Sequence, residues 1–234
     1  TCGFLCQIYR GSTIAYCEGL RYIMKNMKEV HPTMILCVPL LIETMYHKIW
    51  ANIRKNGMEK MVKKALAASN ASRKIGIDLR KKLFSEIHET FGGKLRMMIA
   101  GGAAVDPDIL KGLRDFGILA VQGYGLTECA PLAAVNRDKF YCDSSAGLAT
   151  PNATLEIVDA AEDGTGDIRF KGDNIMLGYY KAPELTAEVI VDGWLYTGDL
   201  GFIDKDGFLH ITGRRKNVIV TANGKNIFPE ELET

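Results

Sequence analysis

Three short runs carry side chains whose types and spacing could do chemistry. In Gln122-Gly-Tyr-Gly-Leu-Thr-Glu128 an aromatic ring sits between two glycines, with a hydroxyl and a carboxylate just beyond. Gly123 and Gly125 let the backbone approach a ligand closely, and the Tyr124 ring can stack on a planar base. Thr127 offers a hydroxyl suited to a phosphate oxygen, and Glu128 a hard oxygen ligand suited to Mg²⁺. The plainer alternative is a tight turn with a capping threonine and a surface glutamate. In Gly101-Gly-Ala-Ala104 the small side chains of Gly102, Ala103 and Ala104 leave room for a ligand, or simply make a turn into the next helix. In Tyr196-Thr-Gly-Asp199 a carboxylate can accept both hydroxyl protons of a ribose; an aspartate in a strand-connecting turn is the alternative.

The elements that must position these residues follow from the apolar pattern. Thr33–Val38, Leu95–Ala100 and Ile118–Gln122 are compact apolar runs that read as parallel strands. Between them, Leu40–Arg54 has helical spacing, with Leu41, Met45 and Ile49 on one stripe, and Met61–Ala68 and Leu79–Phe91 are further helices. Asp106-Pro107 opens a helix that Gly117 ends, by a side-chain cap and a first-turn proline. This β-α-β-α rhythm predicts an α/β fold, a doubly wound, mostly parallel sheet, over residues 1–142. From 143 the character changes. Ala153–Val158, Gly166–Phe170 and Gly207–Thr212 are short strands, with turns at Asp163-Gly164 and Asp206-Gly207. Residues 143–212 are read as a small antiparallel, barrel-like subdomain. Residues 213–234 are read as a hinge and the start of a further domain, with a strand from Asn217 to Thr221 and a helix opening at Pro229.

Composition narrows the partners. Lys+Arg at 29 against Asp+Glu at 28 gives near-zero net charge, which offers no argument for a nucleic-acid partner, and none is expected. Between Lys48 and Arg96, however, 13 basic residues face 4 acidic ones, a solvated helical face or a surface attractive to anionic headgroups or a phosphorylated cofactor. The six cysteines (Cys2, Cys6, Cys17, Cys37, Cys129, Cys142) lack metal-site spacing and read as free thiols of a reducing compartment. His31, His47, His88 and His210 are dispersed, without metal spacing, and are expected in core or surface roles. No signal peptide and no apolar run of 18 residues is visible.

Taken together, Gln122–Glu128, Gly193–Asp199, Gly213–Lys216 and Asn223–Glu231 resemble the motifs of the adenylate-forming enzymes, the superfamily of acyl-CoA synthetases and other AMP-dependent ligases. That resemblance implies that Tyr124 stacks on adenine, Thr127 meets the α-phosphate, Glu128 holds magnesium, and Asp199 takes the ribose hydroxyls. Arg214 would assist at ribose or phosphate, for which a guanidinium is well shaped. Gly102, Ala103 and Ala104 would line the nucleotide and acyl pocket. Lys216 matches the hinge position on which a small carboxy-terminal domain swings, and Gly224 the glycine beside a pantetheine channel. Ser145 and Ala146 depart from the family pattern near 143–148. The implied chemistry is attack of a carboxylate on ATP to give an acyl-adenylate, then displacement of AMP by coenzyme A, with Mg²⁺ and cationic side chains neutralising phosphate charge.

Two motifs of such enzymes, an upstream phosphate loop and a downstream catalytic lysine, are not found, so the chain is expected to be an internal piece of a longer ligase and inactive by itself. The opening Cys2–Gly11 run and the basic helices most resemble long-chain fatty acyl-CoA synthetases, a cytoplasmic enzyme class with peripheral membrane contact as an option. An aminoacyl- or aryl-adenylating domain is the alternative, with Asp106 and Asp108 the acidic residues available for an amine. A catalytically silent nucleotide-binding module and a lipid-surface module are readings of different class. The adenylate-forming reading requires Tyr124, Asp199 and Arg214 to face one nucleotide-sized hollow.

Overall fold

The computed structural model describes residues 2–217 and the short strands at 219–220 and 226–227. The chain divides into two compact units, residues 1–122 and 123–234.

In the first unit the helices α1 (Leu5–Tyr9) and α2 (Ile23–Val30) precede strand β1 (Met34–Cys37). Helices α3 (Pro39–Lys55), α4 (Glu59–Lys74), α5 (Arg80–Leu83) and α6 (Ser85–Thr90) lead to β2 (Met97–Ala100). Helix α7 (Pro107–Asp115) leads to β3 (Leu119–Tyr124). β1, β2 and β3 pair in parallel, with Ile35, Met98 and Ala120 in register. Those three, with Cys37 and Ala100, share the face packed against the helices. On the other face Leu36 is exposed, and Met34, Met97, Ile99 and Leu119 are half-buried.

Helix α3 starts where Pro39, with its preset φ, occupies the first turn. Its buried stripe is Ile42, Met45, Ile49 and Ile53. The expected stripe began at Leu41, which is only half-buried; spacings of three and four from Ile42 hold one face better over about three turns. The single helix expected over Leu79–Phe91 is broken at Phe84. There the backbone leaves helical angles and drives the ring edge-on into Phe116, at 5.2 Å between centroids. Burying a side chain of this size is worth about 1.5–3 kcal/mol, enough to override local helix preference.

Asp106 caps α7, its carboxylate accepting from the Asp108 N–H at 2.8 Å. Asp106→Ala is expected to cost about 1 kcal/mol, read as a lower urea midpoint at unchanged m-value. His88 is buried, one ring nitrogen bonded to the Phe116 carbonyl at 2.9 Å and Nδ1 without a partner. Burial therefore pushes its pKa down, against the opposing Phe116 bond. A depressed histidine favours the fold while neutral, so its contribution is complete above the unfolded value of about 6.5 and drains as pH falls below it. Stability should drop as pH falls below that value, and His88→Leu should flatten the drop; equal slopes in both proteins would refute the assignment.

In the second unit the last residues of β3, Gly123 and Tyr124, pair antiparallel with β4 (Ala134–Val135), which pairs with β5 (Leu148–Ala149). Strands β6 (Ala153–Val158) and β7 (Gly166–Gly172) follow, then helix α8 (Pro183–Val189). Next come β8 (Ile190–Val191), β9 (Trp194–Ile203) and β10 (Leu209–Arg214). The antiparallel order is β10-β9-β7-β6, with β8 on β9. Register shifts at Asp167/Arg169 and Ile211/Gly213 bend the strands, as bulges do, and the sheet curls into a half-barrel. β11 (Ile219–Val220) and β12 (Asn226–Ile227) form a separate antiparallel pair. The helix expected from Pro229 lies outside the described residues. Buried Phe170, Leu195, Ile168 and Leu209 form the unit's apolar filling. All six cysteines are free thiols. No helix among the described residues is long and apolar enough to cross a membrane.

Candidate functional site

Strand pairing makes the first contact of the site. Arg214 of β10 lies directly opposite Asp199 of β9, so both side chains leave the same face. The Arg214 Nε lies 3.0 Å from Asp199 Oδ1. Tyr124, at the end of β3, donates its hydroxyl to Asp199 Oδ2 at 2.5 Å. The Asp199 N–H donates to Thr197 Oγ1 at 3.2 Å, and the Thr197 hydroxyl donates to the Ile168 carbonyl at 2.8 Å. The Asp199 side chain is 5% exposed and that of Arg214 62%. A carboxylate is thus set in the wall with one cation at the rim. Burial, and then the negative charge of Asp199 and its hydrogen bond, push the Tyr124 phenol far up. It stays a protonated donor at physiological pH.

Each carboxylate oxygen can accept two hydrogen bonds. Tyr124 occupies one position on Oδ2 and Arg214 one on Oδ1; the lone pairs they leave are acceptors of the kind to which the two hydroxyls of a vicinal diol donate.

The expectation placed Tyr124 in a turn beyond the strand. It is instead the last residue of β3, because Gly123 and Tyr124 pair with Val135 and Ala134. The turn begins at Gly125, where a Cβ would stand 1.7 Å from the Pro131 carbonyl oxygen. Asn174 pins the far side, donating to the carbonyls of Cys129 (2.7 Å) and Leu132 (2.9 Å). Thr127 and Glu128 lie in the one-turn 3₁₀ helix Thr127–Cys129, Thr127 exposed and Glu128 half-buried. Glu128 Oε1 accepts from the Tyr179 hydroxyl at 2.8 Å, and its backbone carbonyl accepts from the Met176 N–H at 2.7 Å. Hydrogen bonding to that carboxylate raises the Tyr179 pKa. A single carboxylate beside a threonine hydroxyl is a donor set of the kind Mg²⁺ takes when substrate phosphates complete its shell.

Tyr179 and Asn174 were not foreseen. Tyr179 holds Glu128 across 51 positions of sequence. No spacing rule reports such a pairing; the signal available was only a polar aromatic beside glycine.

The remaining expected residues have local settings of their own. Gly102, Ala103 and Ala104 are exposed in the turn after β2 of the first unit, Gly102 at φ +96°. The buried Gln122 side chain supports that turn by accepting from the Val105 N–H at 2.8 Å. Lys216 is exposed in a 3₁₀ turn next to Arg215, which pairs with Asp167. Gly224 lies outside the described residues. The divergent segment at Ser145 and Ala146 is ordered by Asn136, whose amide donates to the Ser145 carbonyl and accepts from the Cys142 N–H, both at 2.8 Å. Asp106 is committed to capping α7. Asp108 lines a cleft of about 310 Å³ with Tyr46, Trp50, Lys111 and Gly112; none of the nucleotide-motif residues lines it. The chemistry is therefore read from the paired side chains, not from that cavity.

Residues 1–180 match the AMP-binding enzyme family. The chain is 32% identical to long-chain-fatty-acid–CoA ligase 1 of Cavia porcellus over 246 aligned residues, covering 99% of this chain and 35% of that protein. It is 30% identical to long-chain-fatty-acid–CoA ligase FadD15 of Mycobacterium bovis, covering 94% and 38%. The chain thus spans little more than a third of the length of these relatives. Among solved structures, O-succinylbenzoate coenzyme A synthetase from Bacillus subtilis with ATP and magnesium ion superposes with TM-score 0.69 at 22% identity, covering 97% of this chain and 41% of that one. The anthranilate CoA ligase AuaEII with anthranoyl-AMP gives TM-score 0.69 at 18% identity, covering 95% and 38%. These structural likenesses establish the fold, and the sequence match over three-quarters of the chain establishes the family: the chain belongs to the AMP-binding enzymes.

Proposed function

We propose that this chain is part of an ATP-dependent carboxylate–CoA ligase, which forms an acyl-adenylate and then an acyl-CoA thioester, with a long-chain fatty acid as the carboxylate. The observation that carries the reading is the Tyr124–Asp199–Arg214 chain, in which a buried carboxylate held by a tyrosine hydroxyl meets a rim guanidinium. In this reading Asp199 takes the ribose hydroxyls and Arg214 assists at ribose or phosphate. The Tyr124 ring bears on adenine, with Gly123 and Gly125 allowing close approach. Thr127 donates to the α-phosphate, and Glu128, steadied by Tyr179, is the magnesium ligand. Mg²⁺, when bound, neutralises phosphate charge during attack by the carboxylate. Gly102, Ala103 and Ala104 are assigned to the acyl and nucleotide pocket, Lys216 to the hinge and Gly224 to the coenzyme A channel.

The fatty-acid assignment is supported by the named activity of the curated relatives. The aryl-acid ligases resemble the chain in fold at lower identity, which says nothing of substrate. Calorimetric titration of the 234-residue chain with AMP and with a fatty acyl-sulfamoyl-adenosine should show binding of both; failure of either to bind at millimolar concentration would remove the nucleotide reading. Substrate class is tested on the longest open reading frame that encodes the chain, with ATP, Mg²⁺ and coenzyme A. Thioester from palmitate should exceed that from benzoate or anthranilate, and the reverse order overturns the fatty-acid assignment.

For location, we propose a cytoplasmic enzyme that touches membranes peripherally through the basic stretch. Its lysines and arginines are nearly all exposed, and Ile75, Ile77 and Leu83 stand out among them. Sedimentation with phosphatidylserine vesicles, lost in 1 M salt and absent with phosphatidylcholine, is the expected result.

A further inference from the structure

Neither the cysteines nor the histidines show metal-ligand spacing in sequence, yet the second unit gathers three donors of different chemistry. Cys142 lies in the loop between β4 and β5, Asp204 opens the β9–β10 turn, and His210 lies in β10. One ligand atom of each, thiol sulfur, carboxylate oxygen and ring nitrogen, falls within 4.8 Å of the others, and all three residues are half-buried. None is among the residues assigned to nucleotide or magnesium.

Each donor is held by its own support. The Cys142 loop is laced to β10 by Ala146 N–H to the Leu209 carbonyl (2.7 Å) and Leu209 N–H to the Gly147 carbonyl (2.9 Å). It has no room to slide, since a Cβ on Gly147 would lie 2.0 Å from the Val135 backbone. Asp204 Oδ1 accepts the N–H groups of Asp206 and Phe208, both at 2.9 Å, which leaves Oδ2 for His210 Nε2 at 3.0 Å. The His210 ring lies flat on Phe202, 4.7 Å between centroids and 4° between planes. The Ser144 hydroxyl, 3.4 Å from Cys142 Sγ, can donate to a thiolate. Metal ligands need such outer partners to hold their orientation.

We propose that Cys142, Asp204 and His210 form a binding site for a borderline-soft divalent cation, Zn²⁺ in the first instance, with the fourth coordination position left to water or an external ligand. Thiolate with imidazole and carboxylate is a zinc-type set, whereas Mg²⁺ and Ca²⁺ take oxygen ligands. Two donors on a tetrahedral ion with bonds of about 2.0–2.1 Å stand about 3.3 Å apart, so the Nε2–Oδ2 pair needs only a small opening. On binding, the thiol proton leaves to solvent, the ring proton that bridges Nε2 to Asp204 passes through solvent to Nδ1, and the ring ligates through the Nε2 lone pair so freed.

Titration of the 234-residue chain with Co²⁺ should give one equivalent and a thiolate-to-cobalt charge-transfer band that Zn²⁺ abolishes. Loss of an outer partner typically weakens a metal site ~10–100-fold, so removing a direct ligand in Cys142→Ser or His210→Gln should weaken Zn²⁺ at least ~100-fold. Cys2→Ser with Cys6→Ser should leave binding unchanged. A readout without substitutions guards against misfolded variants: Zn²⁺ should shield Cys142 from iodoacetamide, by peptide mass spectrometry, while exposed Cys6 and Cys17 react at unaltered rates. Absence of the band and of shielding, or full-affinity binding by Cys142→Ser, overturns the proposal.

Discussion

Gly125→Ala is expected to destabilise the second unit by about 3 kcal/mol, the top of the range for forced overpacking. The added methyl carbon would stand 1.7 Å from the Pro131 carbonyl oxygen, 2.8 Å from its carbon and 2.9 Å from Leu132 Cα. Those are all backbone atoms, so no rotamer change makes room. Nor can the opposing segment drift, because Asn174 grips Cys129 and Leu132, and the Ala133 N–H donates to the Tyr124 carbonyl at 2.9 Å. Urea unfolding followed by the fluorescence of Trp194, which lies in β9, should show the transition moving to lower denaturant. Gly101→Ala is the control, since a Cβ there meets nothing within 4 Å. If both substitutions leave the midpoint in place, the tight approach at Gly125 is not real. AMP binding should fall with Gly125→Ala even at temperatures where the protein stays folded, because Thr127 and Glu128 ride on the displaced turn.

Asp199→Ala should cost about 1–3 kcal/mol in stability, chiefly because the part-buried Tyr124 hydroxyl loses its acceptor. The Arg214 pair adds little, as that guanidinium is mostly in water. Asp199→Asn keeps an acceptor and should fall between wild type and alanine. Both substitutions should weaken AMP at least ~10-fold if the carboxylate holds the ribose, since a hydrogen bond to a charged group is worth ~1.5–3 kcal/mol. Calorimetry separates the two effects: stability lost with AMP affinity intact would make Asp199 a purely structural residue. The alkaline limb carries a second signature. Tyr124 has its pKa raised in the folded state, so its contribution is complete below the unfolded value of about 10 and is lost as pH climbs beyond it. Asp199→Ala removes two of the three largest causes of that rise. Its phenol should ionise at lower pH than in wild type, by tyrosinate absorbance.

The parallel strands were legible because apolar runs of four to six residues stand between turn signals, and α7 because Asp106-Pro107 announces itself. The break at Phe84 was not, since the force behind it is a ring contact with Phe116, distant in sequence. β9 was recognised only as a motif. Its ten residues include Gly198 and Gly201, which local propensity counts against a strand, although a Cβ on Gly201 would strike the His210 carbonyl across the ladder. Helix α8 escaped because seven residues with no buried side chain leave no apolar stripe to read. The candidate site side chains were named from motif likeness. Their supports, Asn174, Tyr179 and Thr197, were invisible because a hydrogen bond across tens of residues leaves no periodic trace. The Cys142, Asp204 and His210 cluster shows the same gap: spacing rules find metal ligands within a helix or a knuckle, and here a loop and a hairpin supply them.

The hydroxyl of Tyr124 and the carboxylate of Asp199 are 75 positions apart in the chain. Closing so wide a loop carries an entropic cost that local contacts cannot offset, so the pair should form late in folding, after the β6–β7 and β9–β10 hairpins have docked. The phenol is then a natural chronometer. In a stopped-flow refolding experiment, protection of one tyrosine from alkaline ionisation should lag the recovery of far-ultraviolet ellipticity, and the delay would time the closing of the Tyr124–Asp199 contact.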